Sequence, residues 1–307
     1  MSQHARVVAL AGGVGGSRLA QGLARALPAD ALTVVVNTGD DLTHLGLRVC
    51  PDLDTLMYTL AGLGDRARGW GLADESFRAM EMVGRYGGPT WFALGDRDLG
   101  THLARTTRLH AGASLTEVTA ELCASLGVST RLLPMTDGER RTFIDTQEGE
   151  RLAFQDWLVG RRAAPRVSRV VREGQGQATC AVLAALDAAD LVVLCPSNPY
   201  VSIDPIMELA GVRERVADTR CVALSPIVGG AAVKGPLGTM IPDLTGAPAS
   251  AAAIARHYQG LLDGMVVEHG DAEGLTLPSL ETRTVMGDEH DRERLARELL
   301  AFAAALP

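Results

Sequence analysis

The feature that most constrains the fold of this chain is a short apolar segment that runs directly into a glycine-rich turn. Residues 7–10 are apolar and rich in β-formers, and residues 12–16 contain four glycines. Leucines then recur with a spacing of four residues up to Leu27, so the order predicts strand, glycine loop and helix. A second apolar strand is predicted at residues 32–36. Such a unit opens a doubly wound α/β fold, in which buried parallel strands are unbroken apolar runs.

The rest of the chain extends this pattern. Apolar runs at residues 191–194 and 221–224 predict two more buried strands. Helical patterns lie at residues 115–126, 179–188 and 292–305. No segment repeats within the chain.

The middle of the chain has a different pattern. Residues 141–145 and 152–154 are strand-like and flank a Glu-Gly turn at residues 148–149, which predicts an antiparallel hairpin. We therefore predict an α/β protein with a Rossmann-like, doubly wound, mainly parallel sheet. It forms a single domain over residues 1–307, with a smaller α+β subdomain inserted at approximately residues 130–175.

Composition and charge exclude several classes of protein. The 37 acidic residues outnumber the 29 basic ones and give a net charge of −8, which argues against a general nucleic-acid binder. Five cysteines with no C-x-x-C pair predict neither a disulfide framework nor a zinc site and fit reduced thiols. No signal-peptide pattern begins the sequence, and no apolar stretch approaches the ~20 residues of a membrane helix. We therefore expect a cytoplasmic protein that binds small molecules and neither nucleic acid nor a membrane.

The basic residues are almost all arginine. Lys234 is the single lysine among the 29 basic residues. We interpret this bias as the composition of a GC-rich genome, which gives Lys234 no role of its own.

The glycine loop is the first candidate site. A glycine-rich turn lets backbone N–H groups approach a phosphate, and the helix dipole adds a favourable field. No G-K-[ST] sequence exists, so this is not a P-loop. The third glycine of a dinucleotide-binding fold is missing, and Asn37 stands where the ribose-binding acid would end the second strand. These departures disfavour an oxidoreductase and favour phosphate binding without a nicotinamide, with a structural tight turn as the alternative.

Two acidic segments form the second candidate site. Asp40 and Asp41 follow the second strand, and Asp52 and Asp54 lie at the start of a predicted helix. Turn and helix-capping chemistry explains any one of them. Four carboxylates within fifteen residues supply hard oxygen ligands, which indicate magnesium rather than zinc. Because adjacent aspartates point in different directions, we expect one of the first pair to serve a ligand.

Further polar loops complete the set of candidates. Arg97 lies between two acids, an arrangement typical either of a surface ion pair or of a fork for a substrate oxyanion. Ser197 and Asn198 follow the strand at residues 191–194, and a Ser-Pro loop follows the strand at residues 221–224. Because the carboxyl ends of parallel strands meet at one edge of a sheet, these loops are expected to converge on one crevice. His102 alone is interpreted as structural.

Together these segments resemble the 2-phospho-L-lactate transferase family (CofD/FbiA) of coenzyme F-420 biosynthesis. The resemblance runs from Val8 to about Leu295. Eight motifs occur in order: G-G-V-G-G from Gly12, V-N-T-G-D-D from Val36, C-P-D-L-D-T from Cys50, W-F-A-L-G-D-R-D from Trp91, L-P-M-T-D from Leu133, F-Q-D-W from Phe154, P-S-N-P from Pro196 and S-P-I-V-G-G from Ser225. A related branch, the gluconeogenesis-factor-like nucleotide-sugar-binding regulators, is the alternative. The segments T-G-D-D-L-T-H and P-D-L-D-T favour the transferase branch.

The resemblance implies a reaction. A guanosine diphosphate ester of a three-carbon acid (2-phospho-L-lactate, phosphoenolpyruvate or a phosphoglycerate) donates its acid-phosphate half. The acceptor is the ribityl hydroxyl of the deazaflavin Fo, GMP leaves, and F-420-0 or its dehydro form results. The resemblance also implies Mg²⁺ as cofactor and a homodimer.

The resemblance further implies roles for particular residues. Asp40 and Asp54 would bind magnesium, with Asp52 as the substitute. Asp54 and Arg97 would contact the deazaflavin and act as the catalytic residues. Ser197 and Asn198 would face the nucleotide. The donor phosphates would be held by the loop and the residue that follows it: Gly12, Gly13, Val14, Gly15, Gly16 and Arg18.

Overall fold

The structure of the chain, a computed structural model, describes residues 5–307. The described residues form the following strands: β1 (Val7–Ala11), β2 (Leu32–Val36), β3 (Leu42–His44), β4 (Leu47–Val49), β5 (Arg131–Pro134), β6 (Arg141–Thr146), β7 (Arg151–Ala153), β8 (Val167–Glu173), β9 (Leu191–Leu194), β10 (Cys221–Leu224), β11 (Ile227–Val228), β12 (Ala231–Ala232), β13 (Gly264–Val267) and β14 (Ser279–Glu281).

Helices connect most of these strands. They are α1 (Gly13–Ala26), α2 (Pro51–Leu60), α3 (Arg78–Arg85), α4 (Asp96–His110), α5 (Leu115–Ser125), α6 (Cys180–Asp187), α7 (Asp204–Met207), α8 (Val212–Ala217), α9 (Leu237–Thr245), α10 (Ala251–His257) and α11 (Glu289–Ala305). Two short π-helical turns lie at Asp156–Gly160 and Pro199–Ile203. Within the described residues, every helix is too short or too polar to cross a bilayer.

The main sheet has seven parallel strands in the order β14-β13-β10-β9-β1-β2-β5. All five residues of β1 are buried, and its alternate side chains enter two separate apolar cores. Val8 and Leu10 belong to one core, whereas Val7 and Ala9 belong to the other. A strand covered on both faces needs apolar residues at every position. The predicted doubly wound α/β sheet is confirmed, and β2, β9 and β10 have the predicted bounds.

A second, antiparallel sheet of three strands, in the order β7-β6-β8, lies in the middle of the chain. It contains the predicted hairpin. Ile144 and Val167 of this sheet, with Trp157 of the π-helical turn that follows β7, pack in the same apolar core as Val192 of the main sheet. β5 falls within the range predicted for the insertion and pairs with β2 of the main sheet. The division into a domain and an inserted subdomain stays a prediction.

Strand β1 lies between β2 and β9, where the order of the strands reverses. Open α/β sheets bind ligands at this position, beyond the carboxyl ends of the strands. The loops that begin at Gly12, Asn37 and Cys195 leave the sheet there. The fold therefore brings three of the predicted motifs to one edge.

Candidate active site

Reciprocal hydrogen bonds tie the three loops together at this edge. The Gly12 N–H donates to Ser197 Oγ at 3.0 Å, and Ser197 Oγ donates to the Gly12 carbonyl at 2.7 Å. Asp52 accepts from the Gly13 N–H at 2.8 Å and from Asn37 Nδ2 at 2.9 Å. Ser197 and Asp52 thus hold the glycine loop from two sides.

The glycines of the loop allow its neighbours to approach closely. A Cβ at Gly12 would lie 2.4 Å from Asp52 Oδ2, and one at Gly15 would lie 2.4 Å from the Pro196 carbonyl oxygen. A Cβ at Gly16 would lie 2.6 Å from Ser197 Oγ. Gly13 has a φ of +64°, which favours glycine for conformational reasons. Packing alone therefore requires glycine at these positions, as the tight-turn alternative expects.

The same loop exposes the amino end of α1 to a ligand. The first N–H groups of a helix have no intrahelical acceptor. Those of Gly12 and Gly13 are bonded to side chains. Val14 and Gly15 line two neighbouring cavities, and no acceptor among the described residues takes their N–H groups. With the helix dipole, they form an anion-binding position.

The larger cavity has a volume of about 490 Å³. Its lining includes four large aromatic side chains: Trp70, Trp91, Phe92 and Phe154. It also includes four nearly buried carboxylates: Asp40, Asp52, Asp54 and Asp98. The cavity therefore suits a flat aromatic molecule whose polar part reaches these carboxylates.

The smaller cavity, of about 260 Å³, lies on the other side of the glycine loop. Arg18, the Ser225-Pro226 turn and Leu237 line it. Val14, Gly15, Pro196, Asn198 and Lys234 line both cavities. The two cavities therefore meet at the amino end of α1.

Asp40 and Asp52 form one pair of carboxyls at the larger cavity. Burial, and next the charge of Asp52, raise the pKa of Asp40 well above its ordinary value. Burial raises the pKa of Asp52 to about 6. Asp40 Oδ1 is buried and has no hydrogen-bond partner among residues 5–307. A bound cation would relieve the repulsion and satisfy that oxygen, so these residues fit a hard divalent metal.

Asp54 has a different environment although it is only two residues from Asp52. The Arg105 guanidinium donates to both carboxylate oxygens of Asp54 through its two terminal nitrogens, and Nη1 lies 3.1 Å from Oδ2. Both side chains are almost fully buried. The amino end of α2 has Cys50 at its N-cap position, where no side-chain cap forms. The Asp54 carboxylate is thus a salt-bridge partner and does not cap the helix.

Asp98, His102 and Tyr58 extend this second group. Burial raises the pKa of the Tyr58 hydroxyl above its ordinary range, and the hydroxyl donates to Asp98 Oδ1 at 2.6 Å. His102 lies 3.4 Å from Asp98 and 3.7 Å from Asp54. Asp54, Asp98 and His102 can each offer one metal-binding atom, and these three atoms lie within 4.8 Å of one another. The histidine interpreted as structural therefore lines the cavity between two carboxylates.

The adjacent aspartates Asp40 and Asp41 point in different directions, as expected. Asp40 lines the larger cavity. Asp41 pairs with Arg48 at 3.0 Å, away from the residues that line either cavity. One of the two is therefore available to a ligand.

Arg97 lies outside the residues that line the two cavities. It is exposed at the start of α4, and its Nη1 donates to the Ala73 carbonyl at 3.0 Å. Its neighbour Asp96 accepts N–H groups of α3. The other neighbour, Asp98, enters the larger cavity. A catalytic role for Arg97 stays a prediction.

The remaining predicted residues lie at the smaller cavity or at the junction. Arg18 lines the smaller cavity, and its Nη1 donates to the Met286 carbonyl at 3.2 Å. Asn198 lies at the junction, where its Oδ1 accepts the Tyr200 N–H at 3.0 Å and its Nδ2 lies 3.3 Å from Met240 Sδ. Both ends of the Asn198 amide therefore have partners within the protein.

Several residues that line the cavities were missing from the sequence prediction. They are Trp70, Asp98, His102 and Lys234. Asp98 stands in a motif that had been singled out for Arg97, and the helical spacing of Asp98 and His102 places both on one face of α4. Lys234 is distinguished in the sequence only as the single lysine, a rarity that genome composition also explains.

These observations define an α/β protein with a two-part cavity and an anion-binding position between its parts. A family described as 2-phospho-L-lactate transferase CofD matches residues 7–305, and the chain belongs to that transferase family of coenzyme F-420 biosynthesis.

Relatives of known name agree with this assignment. A "Phosphoenolpyruvate transferase" of Streptomyces griseus is 44% identical over 97% of this chain and 98% of its own length. The protein of the same name from Mycobacterium avium is 40% identical over 89% of this chain and 91% of its own. A crystal structure of a UPF0052-family protein from Bacillus halodurans has a TM-score of 0.65 at 16% identity and covers 98% of this chain and 99% of its own. That likeness supports the fold alone.

Proposed function

We propose that this protein transfers the acid-phosphate half of a guanosine diphosphate ester to the ribityl hydroxyl of Fo and releases GMP. The observation that carries the proposal is the junction of two cavities at the amino end of α1. A reaction between two substrates needs both to reach one reacting phosphorus. From the names of the relatives, the acid is phosphoenolpyruvate and the product is the dehydro form of F-420-0.

The larger cavity would hold the acceptor. Fo is a flat tricyclic molecule with a flexible polyol chain, and Trp91 and Phe92 offer it an aromatic wall. The ribityl chain would extend toward Asp52 and Asp54. This assignment puts the attacking hydroxyl beside the carboxylates that line the cavity.

The smaller cavity would hold the guanosine, and the diphosphate would lie at the junction. Gly12 to Gly16 and Arg18 would hold the phosphates, mainly through the N–H groups of Val14 and Gly15 and the Arg18 guanidinium. Ser197 would act indirectly, since its hydroxyl fixes the Gly12 backbone. Asn198 would face the nucleotide from the junction.

Asp40 and Asp54 would bind Mg²⁺, with Asp52 as the substitute. A divalent ion there would neutralise charge on the diphosphate. The unpartnered Asp40 oxygen supports its role. Asp54 would have to share its charge with Arg105, so the structure supports Asp52 beside Asp40 more directly than it supports Asp54.

The transfer step needs a proton acceptor. The ribityl oxygen forms a bond to the phosphorus that carries the acid, the bond from that phosphorus to the bridging oxygen breaks, and its electrons leave with GMP. The hydroxyl proton goes to a carboxylate. Asp54 is proposed for this role because its carboxylate lines the larger cavity, where the acceptor would lie, and because Arg105 holds it in place there. Arg97 stays a prediction as the second catalytic residue.

Product analysis tests the proposal. The protein is incubated with Fo, Mg²⁺ and each guanylylated acid in turn, and the products are identified by mass. We expect GMP and a phosphodiester of Fo, with the phosphoenolpyruvate donor the best substrate. Donor binding without Fo-dependent GMP release would instead indicate a nucleotide-sugar-binding regulator. The homodimer stays a prediction and is checked by light scattering.

A further inference from the structure

Lys234 lies at the junction of the two cavities. It stands in the segment between β12 and α9 and lines both cavities together with Val14 and Gly15. It is the single lysine of the chain. The one amine side chain is thus next to the amino end of α1.

The ammonium of Lys234 joins two loops and keeps hydrogen-bonding capacity. Its Nζ donates to the Arg68 carbonyl at 2.5 Å, and a Cβ at Gly69 would lie 2.4 Å from it. An ammonium has three N–H groups. Within residues 5–307 it donates this one hydrogen bond and pairs with no carboxylate. Burial, and next the charge of Arg18, lower the pKa of Lys234; an anion bound between these two cations would offset both effects.

The ammonium of Lys234, which has no carboxylate partner among residues 5–307, lies where the acidic larger cavity meets the smaller cavity. The carboxylates Asp40, Asp52 and Asp54 line the larger cavity, whereas Arg18 lines the smaller one. In phosphoryl transfer the oxygen that leaves gains negative charge, and a fixed cation beside it lowers the barrier. The junction is the place where that oxygen would be.

We propose that Lys234 is a catalytic residue that contacts the phosphate of the departing GMP and stabilises its developing charge. The inference rests on the proposed transfer reaction and adds a residue to it. Lys234 keeps its proton throughout: it donates a hydrogen bond to the bridging oxygen while that oxygen takes the electrons of the breaking bond.

A purely structural role is the competing explanation. Lys234 could act only by tying its loop to the Arg68 carbonyl. That role predicts equal losses of affinity for guanosine, GMP and GDP on substitution. A phosphate contact predicts a loss that is confined to the phosphorylated ligands.

The rarity of lysine makes a direct test possible. In the variant Arg213→Lys, an exposed position on α8 supplies a reference amine. Trinitrobenzenesulfonate modification of both amines is followed by peptide mass analysis with guanosine, GMP or GDP present. We expect GDP to slow modification of Lys234 at least tenfold and guanosine to slow it less than twofold, with position 213 unaffected. Equal modification of Lys234 with and without saturating GDP would overturn the proposal.

Turnover supplies the second test. Lys234→Met should lower kcat for GMP release about 100-fold, the effect typical of losing one such donor, and leave Fo binding unchanged. Lys234→Arg keeps the charge but not the compact ammonium, so its kcat for GMP release should be about tenfold lower than that of the wild type. Arg213→Met, which removes an exposed cation elsewhere, should match the wild type. If the wild type turns over and Lys234→Met does so equally fast, only the role of Lys234 fails; if the wild type releases no GMP with Fo, the transfer reaction itself fails.

Discussion

Two groups of carboxylates border the larger cavity, and their electrostatic environments are opposite. Asp40 and Asp52 repel each other, neither forms a salt bridge within residues 5–307, and their pKa values are raised. Asp54 is held by Arg105, and Asp98 accepts from Tyr58. Residues two apart on a helix point to different sides, so Asp52 and Asp54 enter different surroundings. The comparison teaches that the first pair still needs a positive charge from outside, whereas in the second group Arg105 supplies that charge from within the protein.

The largest effect is expected from removing the cation of the second group. Arg105→Met leaves the Asp54 carboxylate buried and unpaired, which costs about 3–5 kcal/mol of the free energy of unfolding. Urea denaturation measures it. The double variant Arg105→Met/Asp54→Asn should recover part of the loss. Arg108→Met on the same helix removes an exposed partner of Glu121 and should change stability little. Equal effects of the two arginine variants would contradict the contrast between the groups.

The next effect separates Asp40 from Asp54. Asp40→Asn and Asp54→Asn should each slow GMP release at least 100-fold, roughly 3 kcal/mol of barrier. Their effects on stability should differ in sign. Asp40→Asn relieves repulsion with Asp52 and should raise the melting temperature, whereas Asp54→Asn weakens the bond to Arg105 and should lower it. Steady-state kinetics across a magnesium titration, with thermal melts of both variants, checks this. Near wild-type turnover of Asp54→Asn would rule out its catalytic role.

A smaller effect concerns pH and magnesium. Carboxyls whose folded pKa is above the unfolded value bind extra protons in the native state, so the metal-free protein should lose stability as pH rises from about 4 to 6, the pKa of Asp52. Mg²⁺ binds the ionised forms and should offset that loss. At a free concentration ten times its Kd, Mg²⁺ should raise the free energy of unfolding by about 1.4 kcal/mol at pH 7.5. At pH 5 this gain should be absent. Melting curves at both pH values test this, and an equal gain at pH 5 would contradict the assignment of the metal to this pair.

The smallest effect is expected at Arg97. If Arg97 serves only to hold the Ala73 carbonyl with its exposed guanidinium, Arg97→Lys should change kcat/KM less than threefold. If Arg97 does contact substrate, transfer should fall strongly at unchanged melting temperature, because an ammonium does not reproduce the planar fork. Kinetics and a thermal melt of this one variant separate the two outcomes.

The sequence predicted the central sheet well because its strands are buried on both faces. β9 and β10 are uninterrupted apolar runs, β2 is interrupted only by Thr33, and the glycine loop marks the turn after β1. The partners of the acidic residues could not be predicted. Arg105 is 51 residues from Asp54, and nothing local to either residue indicates the other. The sequence cannot show that Asp98 rather than Arg97 enters the cavity, because tertiary packing sets the orientation of the helix and so decides which side chain of the motif points inward.

The close approach of Gly15 to Pro196 and the paired bonds between Gly12 and Ser197 have a consequence for redesign. A loop locked on both sides offers an engineer almost no adjustable position, since an added Cβ would meet the side chains of Asp52 or Ser197 or the backbone of Pro196. The aromatic wall is different: Trp70 and Trp91 are each more than one third exposed and project from chain segments outside the parallel sheet. Attempts to make this scaffold accept another alcohol should therefore begin at those two tryptophans, with the glycine loop kept as a fixed template.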